Sequence, residues 1–309
     1  MLNREENKFN EIAFTDLKEK INRNIVFAFI GAGSSKKLGY PLWHELIKII
    51  EDKLNQKDPT NILSVINREN QCYSKDPLWY AEVLKGYFSE QEFNEIIYNN
   101  YRPLIRKANW SLFHQKLLKI PFKHYITTNY DEVLESASHS IAKPIGSFCW
   151  NEKTRIRNFF KDLNDPDPNE PPMRYIFHIH GRYDEKDSII LTESDYMGLY
   201  AESEFALKVI WSIIASFYMC FIGFRMSDLD VLSIFRRVRW DFGRGDTRHF
   251  AIIEVNNLEE RKITRMYLRD KFGIEPIFYE LKEGTGNLYV EEEKIIDQLL
   301  DLSSINNIL

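Results

Sequence analysis

The apolar positions of the chain follow two periods. Residues 25–30 and 217–222 are apolar without polar interruption, which predicts strands buried on both faces. Further strands are predicted at 122–128, 174–180, 188–191, 249–255 and 274–279, several of them ending in glycine or asparagine. Helical spacing marks residues 10–22 through Ile12, Phe14, Leu17 and Ile21, and the segment after Pro41 through Leu42, Leu46, Ile49, Ile50 and Leu54. Between Pro59 and Ile120 only helical spacing is found, over 62–66, 78–88, 93–101 and 110–118. Helices are also predicted at 192–200, at 204–216, after Asp228 through Val231, Phe235, Val238 and Phe242, and at 290–302. Residues 151–173, polar and rich in proline towards their end, read as a loop, either a flap or a linker. Strands alternating with helices specify an α/β fold with a doubly wound parallel sheet. A single domain over 1–309 is expected, its core about 24–50 and 121–280, with a helical insertion about 51–120 and the C-terminal helix 290–302.

The polar residues gather where strands are predicted to end. Gly31, Ala32 and Gly33 remove bulk where a strand turns, and Ser34 and Ser35 add hydroxyls, a layout that can cradle phosphate. Lys36 and Lys37 then break the G-x-G-x-x-G spacing, so a tight turn without a ligand stands as the alternative. Asn129 and Asp131 follow a strand's carboxyl end, where open α/β sheets bind ligands, although both residue types also cap helices. His178 and His180 are two apart, which in a strand puts them on one face. No third ligand cluster accompanies them, so His178 reads as structural and His180 as the candidate base. Ser227 and Asp228 can cap the helix that follows, on or after which Arg236, Arg237, Arg239 and Arg244 form a solvated or subunit-contacting face. The aromatics of the helical stretch, Tyr73, Trp79, Tyr80, Tyr87, Phe88 and Phe93, read as packing.

Composition narrows the picture. A hydrophobic share of 44% over 309 residues suits a large globular core, and no apolar stretch approaches the ~20 residues of a spanning helix. The net charge of −5 argues against a broad nucleic-acid surface, so direct nucleic-acid binding is not expected. Cys72, Cys149 and Cys220 are scattered singly, which predicts neither a disulfide framework nor a zinc ribbon. The charged start, MLNREENKFNE, lacks a signal-peptide core, and a cytoplasmic location is expected.

Taken in order, the motifs Gly31-Ala32-Gly33-Ser34, Gly39-Tyr40-Pro41, Thr127-Thr128-Asn129-Tyr130-Asp131, His180-Gly181, Gly223-Phe224 with Asp228, and Val255-Asn256 resemble those of the sirtuin-like family. The T-T-N-Y-D form is similar to the bacterial branch that hydrolyses NAD in anti-phage defence. That resemblance implies a Rossmann-like sheet, NAD as substrate, and Asn129 and His180 as catalytic groups; Asp131 can join them by supplying nearby negative charge, and the separated cysteines predict no metal. It implies cofactor binding by Gly31, Ala32, Gly33, Ser34, Pro41 and Thr128, and by Gly223, Phe224, Ser227, Asp228 and Asn256. Nicotinamide and ADP-ribose are the implied products, with cyclic ADP-ribose left open. The alternatives are an NAD-dependent protein deacylase, disfavoured because 181–217 has no cysteine for a zinc module, and a non-catalytic NAD or ADP-ribose sensor. A homo-oligomer is expected, because a free NAD hydrolase needs a gate. The resemblance suggests a HerA-type ATPase-helicase or a short Argonaute as gating partner. Arg182 and Arg225 depart from the family's usual residues at their positions.

Overall fold

The computed structural model describes residues 2–57, 63, 76–103, 108–143, 145–165, 173–243, 249–255, 257–280 and 290–303. Seven strands make one sheet in the order β3-β4-β2-β1-β5-β6-β7, with every neighbouring pair parallel. They are β1 (Val26–Ile30), β2 (Tyr125–Thr127), β3 (Gly146–Cys149), β4 (Tyr175–His178), β5 (Tyr218–Ile222), β6 (His249–Glu254) and β7 (Ile274–Tyr279). The helices begin with α1 (Leu2–Asn22), α2 (Trp43–Lys57), α3 (Pro77–Lys85), α4 (Glu90–Tyr101), α5 (Leu112–Lys119) and α6 (Val133–Ser140). They continue with α7 (Lys153–Asn164), α8 (Glu193–Met197), α9 (Glu204–Ser216), α10 (Leu229–Asp241), α11 (Leu258–Phe272) and α12 (Val290–Ser303).

The uninterrupted apolar run of β1 has a direct cause. Phe27 and Phe29 enter a core shared with Met219 and Phe221 of β5 and covered by α7, α9, α10 and α11. Val26, Ala28 and Ile30 enter a second core, on the other face, with Cys220 and Ile222, covered by α1, α5, α6 and α12. Successive side chains point to opposite faces, so a strand covered on both sides has no polar position. Burying one such large side chain contributes ~1.5–3 kcal/mol. A third apolar cluster joins α2, α3 and α4 to Tyr40, Tyr130, Val133, Tyr183 and Leu191. It sets the helical layer beside the residues that follow β2 and β4. Helix α5 packs instead on the sheet, through Leu117 and Leu118, so in packing terms the helical layer ends before residue 120.

Several sequence expectations need correction. Residues 153–164 form α7 rather than a loop, because Ile156, Phe159, Phe160 and Leu163 keep the i, i+3, i+4, i+7 spacing and pack on the first core among charged neighbours. The proline-rich stretch 166–172 lies outside the described residues, as do Ile62, Ile66, Cys72, Tyr73, Arg244 and Asn256. The strand expected at 188–191 is absent: a 3-10 turn, Lys186–Ser188, leads into an extended strap whose Ile190 N–H donates to the His180 carbonyl at 3.0 Å. Edge strand β3 was not expected at all. Among the described residues no helix is long and apolar enough to cross a membrane.

The chain leaves β1 towards β2 on one side and resumes at β5 on the other, so the winding direction reverses between β1 and β5. There the turns after the two strands bond to each other: Gly31 N–H donates to Ile222 O at 3.0 Å and Gly33 N–H to Gly223 O at 2.9 Å. A Cβ on Gly33 would stand 2.7 Å from Gly223 O, and one on Gly223, whose φ is 63°, only 2.5 Å from Ser34 N. Glycine at these places is therefore required by backbone approaching backbone. Gly33→Ala is expected to destabilise the fold by ~1–3 kcal/mol, the usual range for overpacking, measured as a shift in urea midpoint at constant m. A midpoint equal to that of the unsubstituted protein would show that the turns can separate freely.

Candidate active site

The carboxyl ends of β1, β2, β4 and β5 meet at the reversal point, the crevice where open α/β sheets take ligands. The turn after β1 is not followed directly by a helix. It passes through two 3-10 turns, Ala32–Ser34 and Lys36–Leu38, and α2 begins only at Trp43. Ser34 Oγ donates to Gly31 O at 2.8 Å, so this hydroxyl serves the turn itself. The amides of Gly31, Gly33, Ser34 and Ser35 are likewise bonded within the protein. Pro41 offers its carbonyl to the Tyr101 hydroxyl at 3.1 Å.

Asn129 is buried and held tightly. Thr127 Oγ1 donates to Ile30 O at 2.9 Å and accepts the Asn129 N–H at 3.0 Å, bending the chain out of β2. The carboxamide Nδ2 lies 3.3 Å from Gly31 O and 3.2 Å from Ser35 Oγ. Its Oδ1 is buried and has no hydrogen-bond partner among the described residues. Buried polar atoms are almost always paired, so an orphan of this kind calls for a functional explanation. The Ser35 hydroxyl also serves Asp131, whose Oδ1 accepts the Val133 N–H at 3.1 Å. Burial pushes the Asp131 carboxyl up to about 6, against the pull of those donors. Thr128 sits between Thr127 and Asn129, its N–H 3.4 Å from Ile30 O.

The two histidines do not share a face. Strand β4 ends at His178, the chain turns at residues 179–180, and the alternation that would align them stops there. His178 turns towards α6, with Nε2 2.8 Å from Glu135 Oε1 and Nδ1 3.1 Å from the Asn129 carbonyl. His180 enters an aromatic box instead. Its Nε2 lies 2.7 Å from Tyr200 Oη, and its ring meets those of Tyr196 and Tyr200 edge-on at 5.1 and 5.9 Å. Burial drives the His180 imidazole down to about 3, which keeps it neutral at neutral pH. Tyr196 donates to Asp228 Oδ2 at 3.1 Å, while Oδ1 of the same carboxylate caps α10 through Val231 N–H at 3.0 Å. Phe224 packs against Phe29 and Phe221, and Ser227 is exposed. Arg182, an unusual residue at its position, forms a two-pronged pair with Asp184 at 2.5 and 2.9 Å. Among the described residues no group of three His, Cys, Asp or Glu could hold a metal ion.

Residues 123–277, half of the chain, match the family model described as the SIR2-like domain. The chain belongs to the SIR2-like family. The matched span runs from β2 into β7 and includes Asn129, Asp131, His180 and Gly223, while the turn after β1 precedes it. The SIR2-like chain is 23% identical over 256 residues to "NAD(+) hydrolase ThsA" of Bacillus cereus (strain MSX-D12), covering 83% of this chain and 48% of the relative. It is 24% identical over 244 residues to a protein of the same name from Enterococcus faecium, covering 78% of this chain and 45% of the relative. It is 25% identical over 223 residues to "Defense-associated sirtuin 2" of Bacillus subtilis, covering 71% of this chain and 19% of the relative. The chain thus spans about half the length of the ThsA relatives it matches.

Sequence reasoning gave no role of their own to Thr127, Glu135, Tyr196 and Tyr200 in the SIR2-like chain, and gave Ser35 only as a hydroxyl of the turn. Thr127 stands inside a quoted motif and Ser35 directly after one, whereas the tyrosines lie in an acidic stretch with no motif of their own. A five-residue π-helix, Gly198–Glu202, carries Tyr200, and π turns are frequent at functional sites.

The raised Asp131 gives a stability test with a definite sign. Its carboxyl is more easily protonated folded than unfolded, so its contribution is complete below the unfolded value near 3.8 and is lost as pH rises through about 6. Asp131→Asn, which removes the charge, is expected to raise Tm at pH 7.5 by several degrees and to leave it nearly unchanged at pH 3.5. Calorimetry at the two pH values checks this, and a variant less stable at pH 7.5 than the unsubstituted protein would contradict it.

Proposed function

We propose that the chain hydrolyses NAD at the nicotinamide–ribose bond, releasing nicotinamide and ADP-ribose, as an effector of bacterial anti-phage defence by NAD depletion. The observation that carries this reading is the Asn129 carboxamide, anchored at Nδ2 by the turn after β1, with a buried, unpartnered Oδ1 close to Asp131 in sequence. The relatives named NAD(+) hydrolase and defense-associated sirtuin support it.

Breaking the C1′–N1 bond sends its electron pair into the pyridinium ring, so nicotinamide leaves neutral and the ribose becomes oxocarbenium-like. Asn129 Oδ1 accepts a hydrogen bond from the attacking water and orients it. Asp131 supplies negative charge towards the cationic centre. His180, neutral because burial depresses its basicity, takes the water's proton through Nε2, and the water enters where the Tyr200 hydroxyl now lies. General-base assistance of this kind contributes ~10²–10⁴-fold. The turn of Gly31, Ala32, Gly33 and Ser34 binds the pyrophosphate, Gly223, Ser227 and Asn256 hold the adenosine side, and Pro41, Thr128, Phe224 and Asp228 complete the cofactor site. Attack by a nucleophile of the substrate in place of water would give cyclic ADP-ribose. The reading further places the protein in the cytoplasm as a homo-oligomer gated by a HerA-type ATPase-helicase or a short Argonaute. Exposed Leu229, Trp240 and Phe242 on and after α10 support self-association.

NAD incubated with the purified protein is expected to yield free nicotinamide by chromatography. Asn129→Ala and His180→Ala are expected to abolish release while NAD affinity stays within about tenfold, ~1.4 kcal/mol. NAD left intact by the protein and its assembled forms would refute hydrolysis, and full activity in His180→Ala would refute the base. Sedimentation at micromolar concentration is expected to give a mass above that of one chain.

A further inference from the structure

Both ring nitrogens of His178 face an oxygen. Nδ1 is 3.1 Å from the Asn129 carbonyl and Nε2 is 2.8 Å from Glu135 Oε1, and the ring is 1% exposed. A peptide carbonyl has no proton to give. Nor has Glu135: burial favours its protonated form, but His178 and the Ser147 hydroxyl, 2.7 Å away, outweigh this and hold it below the usual carboxylate range. Both contacts are therefore hydrogen bonds only if the ring carries both protons. The charged groups around the ring agree with that state. Burial opposes the cation, Glu135 on α6 outweighs burial, Arg182 beyond β4 opposes it at longer range, and Asp131 beyond β2 feels the imidazolium's attraction.

The clamp acts on the residue with the orphan atom. Asn129 is gripped at its N–H by Thr127, at Nδ2 by Gly31 and Ser35, and at its carbonyl by His178, so its backbone and amide nitrogen are fixed while Oδ1 alone is left without a partner. We propose that His178 is a positioning residue, an imidazolium that holds the Asn129 carbonyl and thereby aims Asn129 Oδ1, with Glu135 as its buried counter-ion. The proposal deepens the NAD-hydrolase reading and rests on it for the role of Asn129. A neutral His178 keeps only one proton. With Glu135 retaining the Nε2–H, Nδ1 would turn a lone pair on the Asn129 carbonyl, and attraction would become repulsion. The aim of Asn129 is thus tied to a proton held outside the reacting atoms. Asn129 stays aimed below the pKa of His178 and is released as pH rises through it.

Glu135→Gln tests the clamp in the full chain. Glutamine keeps the shape and an oxygen for Nε2–H but removes the charge that stabilises the imidazolium. The expected result is a kcat at least tenfold lower, with KM for NAD within about twofold and loss of the alkaline limb of the unsubstituted protein's pH profile. Nitrogen-15 spectra of labelled histidine, assigned with His178→Asn, are expected to show both ring nitrogens of His178 protonated at pH 7 in the unsubstituted protein. A neutral His178 in that spectrum overturns the proposal, and the protonation state is read in the unsubstituted protein itself. So does a Glu135→Gln protein with a neutral ring and unchanged kcat. If no NAD is cleaved by the unsubstituted protein, the hydrolase reading fails by itself. The clamp is then judged by the Asn129 side-chain amide signal, which moves on Glu135→Gln if the proposal holds and stays in place if it does not.

Discussion

The contact between the turns that follow β1 and β5 is the constraint on which the site depends. Two backbone hydrogen bonds join them, and the glycines leave no room for a side chain on either. Asn129 takes its position from the first turn, through the Gly31 carbonyl and Ser35. The second turn leads to Asp228, which holds Tyr196, which packs on His180. Both candidate catalytic residues are thus referenced to one backbone junction, although they come from different strands. Glycine-rich turns invite interpretation as ligand cradles. In this fold the same residues are needed earlier in the causal chain, to let two strands end side by side.

The charges behind the junction are arranged in pairs. His178 faces Glu135, and Arg182 faces Asp184 with a longer approach to Glu135 at 3.8 Å. Paired charges in a buried place give little net field, whereas Asp131 is pushed towards neutrality by burial, against its hydrogen-bond donors, with Glu135 and His178 acting on it in opposite directions. Under the proposed hydrolysis, an environment of this kind would support a cationic transition state through one carboxylate rather than through a general excess of negative charge. The aromatic box around His180 has a complementary effect, burying the ring so that it is uncharged at neutral pH before any proton reaches it.

The middle of the sheet was legible in the sequence because β1 and β5 are covered on both faces and are apolar throughout. β1, β5, β6 and β7 were each found to within a residue or two. Helix α7 was not, since lysines, arginines and asparagines outnumber its apolar stripe and average polarity hides a spacing that is present. β3 is a short edge strand beginning with glycine and serine, a composition with weak strand character. At the site, motif order brought Asn129, Asp131 and His180 to one end of the sheet. The divergence of His178 from His180 was not legible, because it depends on β4 stopping at His178. Tyr196 and Tyr200 reach His180 only through the strap of residues 189–191 and the π-helix after α8, a tertiary path that leaves no periodic trace.

The position of β1 at the middle of the sheet also governs how the chain must assemble. It is the first of the seven strands in chain order, yet its neighbours β2 and β5 lie far beyond it along the chain. Until β2 is made it is an apolar ribbon with two open edges, the kind of segment most prone to mispairing. Of the described helices that cover this face of β1, α1 alone precedes it, and its Ala13, Leu17 and Ile21 share a core with Val26, Ala28 and Ile30. The amphipathic N-terminal helix can therefore act during synthesis as an intramolecular chaperone for the strand that follows it.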